Sequence, residues 1–123
     1  MSISNFLENK ILDKVFRNTD FTVTTVYISL HTAAVGETGA SEVTGGSYAR
    51  QSATFDVAAA GATANSAIVD FTNMPAVTVT DVGCWDALTL GNFLWGGALT
   101  ASKVVNSGDT FRLPLGDLDI TLD

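Results

Sequence analysis

The chain has 123 residues, of which 46% are hydrophobic and 15% charged, and its formal net charge is −7. These values are typical of globular protein rather than disordered chain, so we expect residues 1–123 to form a single domain. A nucleic-acid groove and contact with an anionic membrane both need clustered Lys and Arg, and the acidic balance argues against them. Cys84 is the only cysteine and His31 the only histidine, which excludes an internal disulfide and a multi-histidine metal site.

Targeting and membrane segments are not expected. Charged residues at positions 8, 10, 13 and 14 interrupt any apolar signal core near the N-terminus. No stretch without a formal charge is longer than residues 87–102, whose glycines and short length are unsuited to a membrane-spanning helix. The sequence therefore predicts that the chain does not insert into a membrane. It also predicts that the chain is synthesised without export.

Residues 1–17 are predicted to form an N-terminal helical arm. Ser4 or Asn5 can cap the helix, and Glu8 stands three residues after Asn5, as in a capping box. Phe6 falls outside the apolar half of the helical wheel. That apolar half consists of Leu7, Ile11, Leu12, Val15 and Phe16.

The arm differs in charge from the rest of the chain. It carries three basic and two acidic side chains, whereas residues 18–123 carry three basic and eleven acidic ones. Its apolar face can pack against the protein's own β-sandwich, or it can bind a neighbouring subunit or a docking surface. The sequence leaves both alternatives open.

From residue 21 onward the pattern is that of short strands separated by turn residues. Side chains alternate in character along the predicted strands, with Val26, Ile28 and Leu30 on one face and Ser29 and His31 on the other. Predicted strands cover residues 22–32, 48–57, 67–71, 77–85, 92–99, 102–105, 109–113 and 118–122. Residues 33–47 are expected to form a loop and residues 58–64 a small-residue turn. We expect a mainly β fold, with residues 21–123 forming an antiparallel β-sandwich or jelly-roll-like barrel after the short amphipathic α-helix.

One further side-chain pattern is predicted for the strand over residues 48–57. Alternation places Ala49, Ala53, Phe55 and Val57 on a shared face.

Residues suited to nucleophilic catalysis are sparse. His31 is the only candidate base, and no Gly-x-Ser-x-Gly elbow presents a serine to it. Cys84 could pair with His31 as a thiolate, but it lies within a predicted strand, where a buried cysteine acts as a small apolar residue. The sequence therefore predicts no catalytic residue and no cofactor, and His31 is interpreted as a structural histidine at a strand end.

Carboxylates offer two further alternatives. Asp117, Asp119 and Asp123 could hold a calcium ion, but we interpret them as the solvent side of a strand whose inner side is formed by residues 118, 120 and 122. Glu37 and Glu42 flank a glycine-containing loop that has neither a Walker nor a dinucleotide-binding spacing. No metal site is predicted from these residues.

Three aromatic residues could form a platform for a sugar ring. These are Tyr48, Trp85 and Trp95. Aromatic side chains on apolar strands more often serve as anchors of a core or an interface. We therefore interpret the two tryptophans as core residues.

Several blocks of the chain, in order, resemble a family of small structural proteins of tailed bacteriophages described as tail-fibre-like. The most distinctive block has an acidic residue, Glu42, followed by Gly45-Gly46 and then Tyr48-x-Arg50. Further blocks cover residues 5–16, 27–32, 82–87, 91–94, 97–99, 103–109 and 118–123. We hypothesise that Arg50 pairs with a carboxylate such as Glu42 and fixes the long loop, the alternative being a solvated strand arginine.

The resemblance implies a virion component without enzymatic activity. We expect a tail fibre or fibre-associated subunit that forms a homo-oligomer, a trimer by analogy with virion appendages, and binds other phage virion proteins. A capsid decoration protein and a module that binds a host surface glycan are the alternatives, and a polysaccharide hydrolase is disfavoured because no nucleophile–base pair is visible. The expected location is the virion, after assembly in the host cytoplasm. Predicted interaction residues are Leu7, Ile11, Leu12, Val15, Phe16, Tyr48 and Arg50.

Overall fold

The computed structural model describes residues 2–122, which form nine strands and one helix. In chain order the elements are β1 (Ser2–Ile3), α1 (Asn5–Arg17), β2 (Val26–His31), β3 (Gln51–Ala53), β4 (Ala62–Ala64), β5 (Val69–Phe71), β6 (Val77–Trp85), β7 (Phe93–Val105), β8 (Phe111–Leu113) and β9 (Asp119–Thr121). Paired strands in this range are all antiparallel. The prediction of a mainly β, sandwich-like fold with a short N-terminal helix is confirmed.

The main sheet has five strands in the order β1-β7-β6-β2-β3. Its central strand β6 pairs with β2 through Cys84 and Ile28, and with β7 through Cys84 and Trp95. Two smaller sheets consist of β4 with β9 and of β5 with β8. One apolar cluster joins the inner faces, and its most buried members are Ile28, Leu30, Phe71, Met74, Val79, Val82 and Leu118. Burial of these side chains supplies the main driving force for closing the sheets on each other.

Strand β7 contains an irregular bulge of several residues. Val79 pairs with Lys103 and Asp81 pairs with Ala98, so residues 99–102 of β7 lie opposite Thr80 alone. The two strands predicted over 92–99 and 102–105 are therefore one strand, and the predicted break falls within the bulge. Bulges increase the local twist of a sheet, which lets both halves of β7 stay paired with β6.

The segment from residue 48 to residue 64 departs from the prediction. Only Gln51–Ala53 pairs with β2, and Val57 is 94% exposed, so its predicted place on a shared strand face is wrong. The segment predicted as a turn over residues 58–64 is a turn followed by strand β4. Ala60 and Gly61, which both have positive φ, lie in the turn. Pairing of β4 with β9 decides this region, because small residues alone have little strand preference.

The chain entering α1 is attached to the main sheet. Strand β1, which the sequence did not predict, pairs with β7, and the Ser4 backbone N–H donates to the Leu94 carbonyl at 2.9 Å. Ser4 is the N-cap: its Oγ accepts from the Leu7 N–H at 3.2 Å and donates to the Phe93 carbonyl at 2.6 Å. Asn18, in the left-handed conformation, ends the helix. Within residues 2–122 no helix has the length and apolar character needed to cross a membrane.

Candidate functional site

The motif residues Glu42, Tyr48 and Arg50 meet in one hydrogen-bonded network. Arg50 donates from Nη2 to Glu42 Oε1 at 2.8 Å and from Nε to Glu42 Oε2 at 3.0 Å. The Tyr48 hydroxyl donates to Glu42 Oε2 at 2.8 Å and accepts from the Leu30 N–H at 3.0 Å. The structure thus contains the predicted Arg50–Glu42 pair, in a bidentate geometry with only 8% of the arginine side chain exposed.

Arg50 also fixes the loop between β6 and β7. Its Nη1 donates to the carbonyls of Ala87 and Leu90, at 3.0 and 2.8 Å. Its guanidinium carbon lies 3.8 Å from the centre of the Trp85 ring, within the range of a cation–π contact. One side chain therefore joins the loop before β3 to the loop after β6.

A second group of buried polar side chains contacts Trp85. The indole N–H donates to Ser29 Oγ at 2.8 Å, and Ser29 Oγ lies 2.6 Å from His31 Nε2. His31 Nδ1 is 2.7 Å from the Ala40 carbonyl, which can only accept, so Nδ1 carries the proton. Nε2 then accepts from the Ser29 hydroxyl, and a neutral imidazole satisfies every partner.

The surroundings lower the pKa values of both His31 and Glu42, each for a different reason. Burial lowers the pKa of His31, although the Ala40 carbonyl and the carboxylates of Glu42 and Asp81 act against this, and Arg50 adds to the lowering. Burial by itself raises the pKa of the Glu42 carboxyl, but the hydrogen bonds from Arg50 and Tyr48 outweigh it and the pKa lies below its usual value. The network therefore holds a charged Glu42–Arg50 pair beside a neutral His31.

The candidate nucleophiles are enclosed. Ser29 and His31 are both fully buried, and Cys84 lies inside the core, where burial raises the pKa of its thiol. A buried thiol is a poor nucleophile because its thiolate is disfavoured. In this geometry neither the Ser29–His31 pair nor Cys84 is accessible to a substrate.

The carboxylates considered in the sequence do not converge. Glu37 accepts a hydrogen bond from the Asn5 N–H at 2.7 Å, at the start of α1, whereas Glu42 belongs to the Arg50 network. Asp117 and Asp119 are exposed, and Asp123 lies outside the described residues. From Ser2 to Leu122 no three His, Cys, Asp or Glu side chains are grouped as metal ligands.

The inner side of the last strand is shorter than predicted. Leu118 is 1% exposed and Ile120 is partly buried, but Leu122 is 55% exposed. The prediction for Leu122 is wrong because β9 ends at Thr121, so the alternation along the strand does not extend to Leu122.

The three aromatic residues do not form an exposed platform. Trp95 is 2% exposed and packs in the main core, and Trp85 is covered by Arg50 on one ring and contacts Phe93 at its edge. Tyr48 is partly buried and stacks with Phe71 at a centroid distance of 6.1 Å. The interpretation of the tryptophans as core residues agrees with this placement, and a glycan could not stack on either ring.

The predicted apolar face of α1 is divided by the structure. Leu7 of this face packs against the core cluster together with Phe6, which the helical wheel placed outside the apolar half and which meets Phe21 edge to face at 5.9 Å. Ile11 is also partly buried. The remaining residues, Leu12, Val15 and Phe16, are 53%, 66% and 78% exposed, and we call them the outward face of α1.

The outward face has the spacing i, i+3, i+4, so its three side chains adjoin on the helix surface.

Comparison with known families decides to which class of protein the chain belongs. A model of the podophage GP4 fiber I protein gp80 family matches residues 2–121. The chain belongs to this family. The tail-fibre-like resemblance is confirmed, while no curated protein shows significant similarity to the chain.

Membership in a fiber I protein family gives the chain a fibre-related structural role in a phage particle. The Glu42–Tyr48–Arg50 motif joins the loop before β3 to the loop after β6. Sequence reasoning did not find the Ser29–Trp85 contact or the role of the loop containing Leu90. The alternation that placed Ser29 and His31 on one face was the available signal for the Ser29–Trp85 contact. The role of the loop that contains Leu90 depends on contacts between distant segments and had no such signal.

Proposed function

We propose that this fiber-family chain is a non-enzymatic structural subunit of a phage tail fibre, which associates with copies of itself and docks onto other virion proteins. The observation that carries the proposal is the outward face of α1. A leucine, a valine and a phenylalanine there are each more than half exposed on an ordered helix. Adjoining apolar side chains of this kind are typical of surfaces that a partner covers.

The charged residues of α1 favour an apolar partner over an electrostatic one. Lys14 pairs with Asp20 at 2.6 Å and Arg17 pairs with Asp13 at 3.2 Å. Lys10 lies 5.5 Å from the Phe6 ring and 5.9 Å from the Phe21 ring. Because each cation of the helix already has a neighbour within the chain, the outward face offers mainly apolar area to a partner.

The non-enzymatic part of the proposal is supported by the enclosure of Ser29, His31 and Cys84. We further infer that residues 1–123 act as a single domain, that the oligomer is a trimer, and that assembly takes place in the host cytoplasm. Light scattering on the purified chain measures the number of copies directly. A monomer at all concentrations contradicts the self-association.

The docking test uses phage carrying Phe16→Glu, with Glu8→Gln as a matched control on the same helix. Immunogold microscopy with an antibody to this chain is expected to label the tail of wild-type and control particles, and not the tail of the Phe16→Glu particles. Circular dichroism checks that the variant is folded. Gold spread over the wild-type head contradicts the fibre assignment in favour of a decoration protein, and normal tail labelling of folded Phe16→Glu contradicts docking through α1.

A further inference from the structure

Residues 33–41 form a loop that covers the buried histidine, and we call this loop the lid. Its two ends lie together, because the Thr32 N–H donates to the Ser41 carbonyl at 3.0 Å. Within it the Ala40 N–H donates to the Val35 carbonyl at 2.9 Å. Most lid residues are exposed, and only Val35 and Gly39 are buried. The lid is therefore a closed surface loop with a small buried side.

The buried side of the lid rests on two aromatic rings. Val35 forms a small apolar cluster with Trp85 and Phe93, separate from the main core. Gly39 approaches the same rings so closely that an added Cβ would overlap Trp85 and lie 2.7 Å from Phe93 Cδ1. Because so little apolar surface holds it, the lid can separate from the sheet at a lower cost than unfolding of the whole domain.

The hydrogen bonds beneath the lid form a series that runs in one direction. The Trp85 indole N–H donates to Ser29 Oγ at 2.8 Å, and the Ser29 hydroxyl donates to His31 Nε2 at 2.6 Å. His31 Nδ1 then donates to the carbonyl of Ala40, a lid residue, at 2.7 Å. Every donor in the series has one acceptor, so the closed lid requires a neutral imidazole.

A second proton on the imidazole has no acceptor under the closed lid. A protonated Nε2 would donate toward Ser29 Oγ, which already accepts from Trp85. The Ser29 hydroxyl hydrogen would then lose its acceptor, and both Ser29 and His31 are fully buried. An unsatisfied hydroxyl and a buried cation both raise the free energy of the closed form.

The charges around His31 compensate for this only in part. The charged side chains that act on it from the neighbouring segments are Glu42, Asp81 and Arg50. The two carboxylates favour the imidazolium and the guanidinium disfavours it, but burial has the largest effect and lowers the pKa of His31. Both ring nitrogens are already bonded, to the serine and to the lid carbonyl, so neither carboxylate receives a hydrogen bond from the ring.

We infer that residues 33–41 are a pH-sensitive lid, which opens over Ser29, His31 and Trp85 when the His31 imidazole takes up a second proton. In the open form water hydrates the imidazolium and accepts from the Ser29 hydroxyl. The lid also carries Glu37, whose carboxylate accepts from the Asn5 N–H at 2.7 Å, at the first residue of α1. Opening therefore removes an anion from the positive end of the helix dipole.

Hydrogen exchange of the two tryptophan indoles tests the lid, because Trp85 lies beneath it and Trp95 lies in the main core. NMR on the wild-type chain gives both rates, and division by the rate of free tryptophan in the same buffer gives the open fraction. Trp85 should exchange faster than Trp95. Its open fraction should rise about tenfold from pH 7.5 to 5.5, as an exposed histidine with a pKa of about 6.5 is protonated. Equal exchange of the two indoles, or a Trp85 open fraction independent of pH, overturns the inference.

The role of His31 is tested by His31→Gln, which should keep the faster exchange of Trp85 and lose its rise with falling pH. The same rise in folded His31→Gln overturns the inference. Because a buried substitution can prevent folding, the imidazole of the wild-type chain is also titrated directly by NMR. It should stay neutral well below pH 6.5 in the folded chain, and a midpoint at 6.5 overturns the inference, since the closed lid would then not oppose protonation.

The seat of the lid on the aromatic rings is tested by a matched pair of glycine substitutions. Gly36 and Gly39 have φ of +59° and +69°, so alanine strains the backbone at both. No atom lies within 4 Å of a Cβ added at Gly36, whereas one at Gly39 meets both rings. At pH 7.5 the Trp85 open fraction should be at least tenfold higher in Gly39→Ala than in Gly36→Ala. Equal open fractions overturn the inference, because the lid would then not rest on Trp85.

Discussion

The guanidinium carbon of Arg50 lies 3.8 Å from the centre of the Trp85 ring, while the same guanidinium binds both carboxylate oxygens of Glu42. Trp85 in turn donates to Ser29, which contacts His31. A surface loop, a central strand and a buried histidine are therefore connected through adjoining side chains. Changes at either end of this series should be measurable in stability.

Replacing Arg50 by Ala should lower the free energy of unfolding by about 3 kcal/mol, because it leaves the Glu42 carboxylate without its cation. Two loop carbonyls also lose their donor. Arg112→Ala is the matched control, since the Arg112–Asp70 pair has similar distances but an arginine side chain 56% exposed. Urea denaturation measures both variants, and limited proteolysis reports on residues 33–49. Equal effects of the two substitutions, or an unaltered cleavage pattern in Arg50→Ala, would contradict the predicted fixing of the loop.

The two halves of α1 should respond differently to the same substitution. Phe6→Ala removes a ring that packs on the core and should cost about 1–2 kcal/mol, whereas Phe16→Ala should change the free energy of unfolding by less than about 0.5 kcal/mol. Both are measured by urea denaturation of the dilute chain. A larger loss in Phe16→Ala would show that its ring is covered within the monomer.

Stability should decrease as the pH falls below about 6.5, the ordinary pKa of histidine. Burial lowers the pKa of His31 in the folded state, so between that lowered pKa and 6.5 the unfolded chain binds more protons. The free energy of unfolding therefore rises with pH across this window, and its full value is present above it. Denaturation between pH 7.5 and 5.5 tests this against His31→Gln, which should show a flatter dependence; parallel curves would refute the assignment.

Gly83 is placed where a side chain does not fit. An added Cβ would lie 2.7 Å from Phe93 Cε1, 2.8 Å from Ser29 Oγ and 3.1 Å from His31 Nε2. Gly83→Ala should cost about 3 kcal/mol and change the near-UV circular dichroism of Trp85. In the control Gly108→Ala, no atom lies within 4 Å of the added Cβ, and only its φ of +88° opposes the change. That variant should keep the wild-type near-UV spectrum, and a native spectrum in Gly83→Ala would count against the tight packing.

The periodicity of apolar residues was sufficient to predict most strands and the helix. The predicted range 77–85 is the observed β6, because Val77–Thr80 and Val82 are β-branched residues, which favour a strand. The helix was predicted from its wheel and cap, both of which depend on neighbours within one turn. These features are local, so the sequence by itself was sufficient for them.

The short peripheral strands depended on tertiary pairing. β1 and β4 consist of two and three residues, and each is a strand only because a distant partner, β7 or β9, supplies its hydrogen bonds. The sequence could not predict them, since so few residues carry no periodicity. The prediction for Val57 failed because tertiary pairing decides where a strand ends. Val57 continues the alternating pattern in the sequence, but the strand has already left the sheet and the side chain is exposed.

By itself, the sequence determined a mainly β chain with an amphipathic helix, a sparse set of catalytic residue types and the Glu42–Tyr48–Arg50 motif. Only the tertiary structure decided which side of α1 is covered: Phe6 and Leu7 face the core, and Leu12, Val15 and Phe16 face outward. It also placed the Arg50 guanidinium against the carbonyl of Leu90, 40 residues away along the chain. The physical reason is that periodicity identifies apolar faces, whereas the packing of distant segments determines which of those faces remain for a partner.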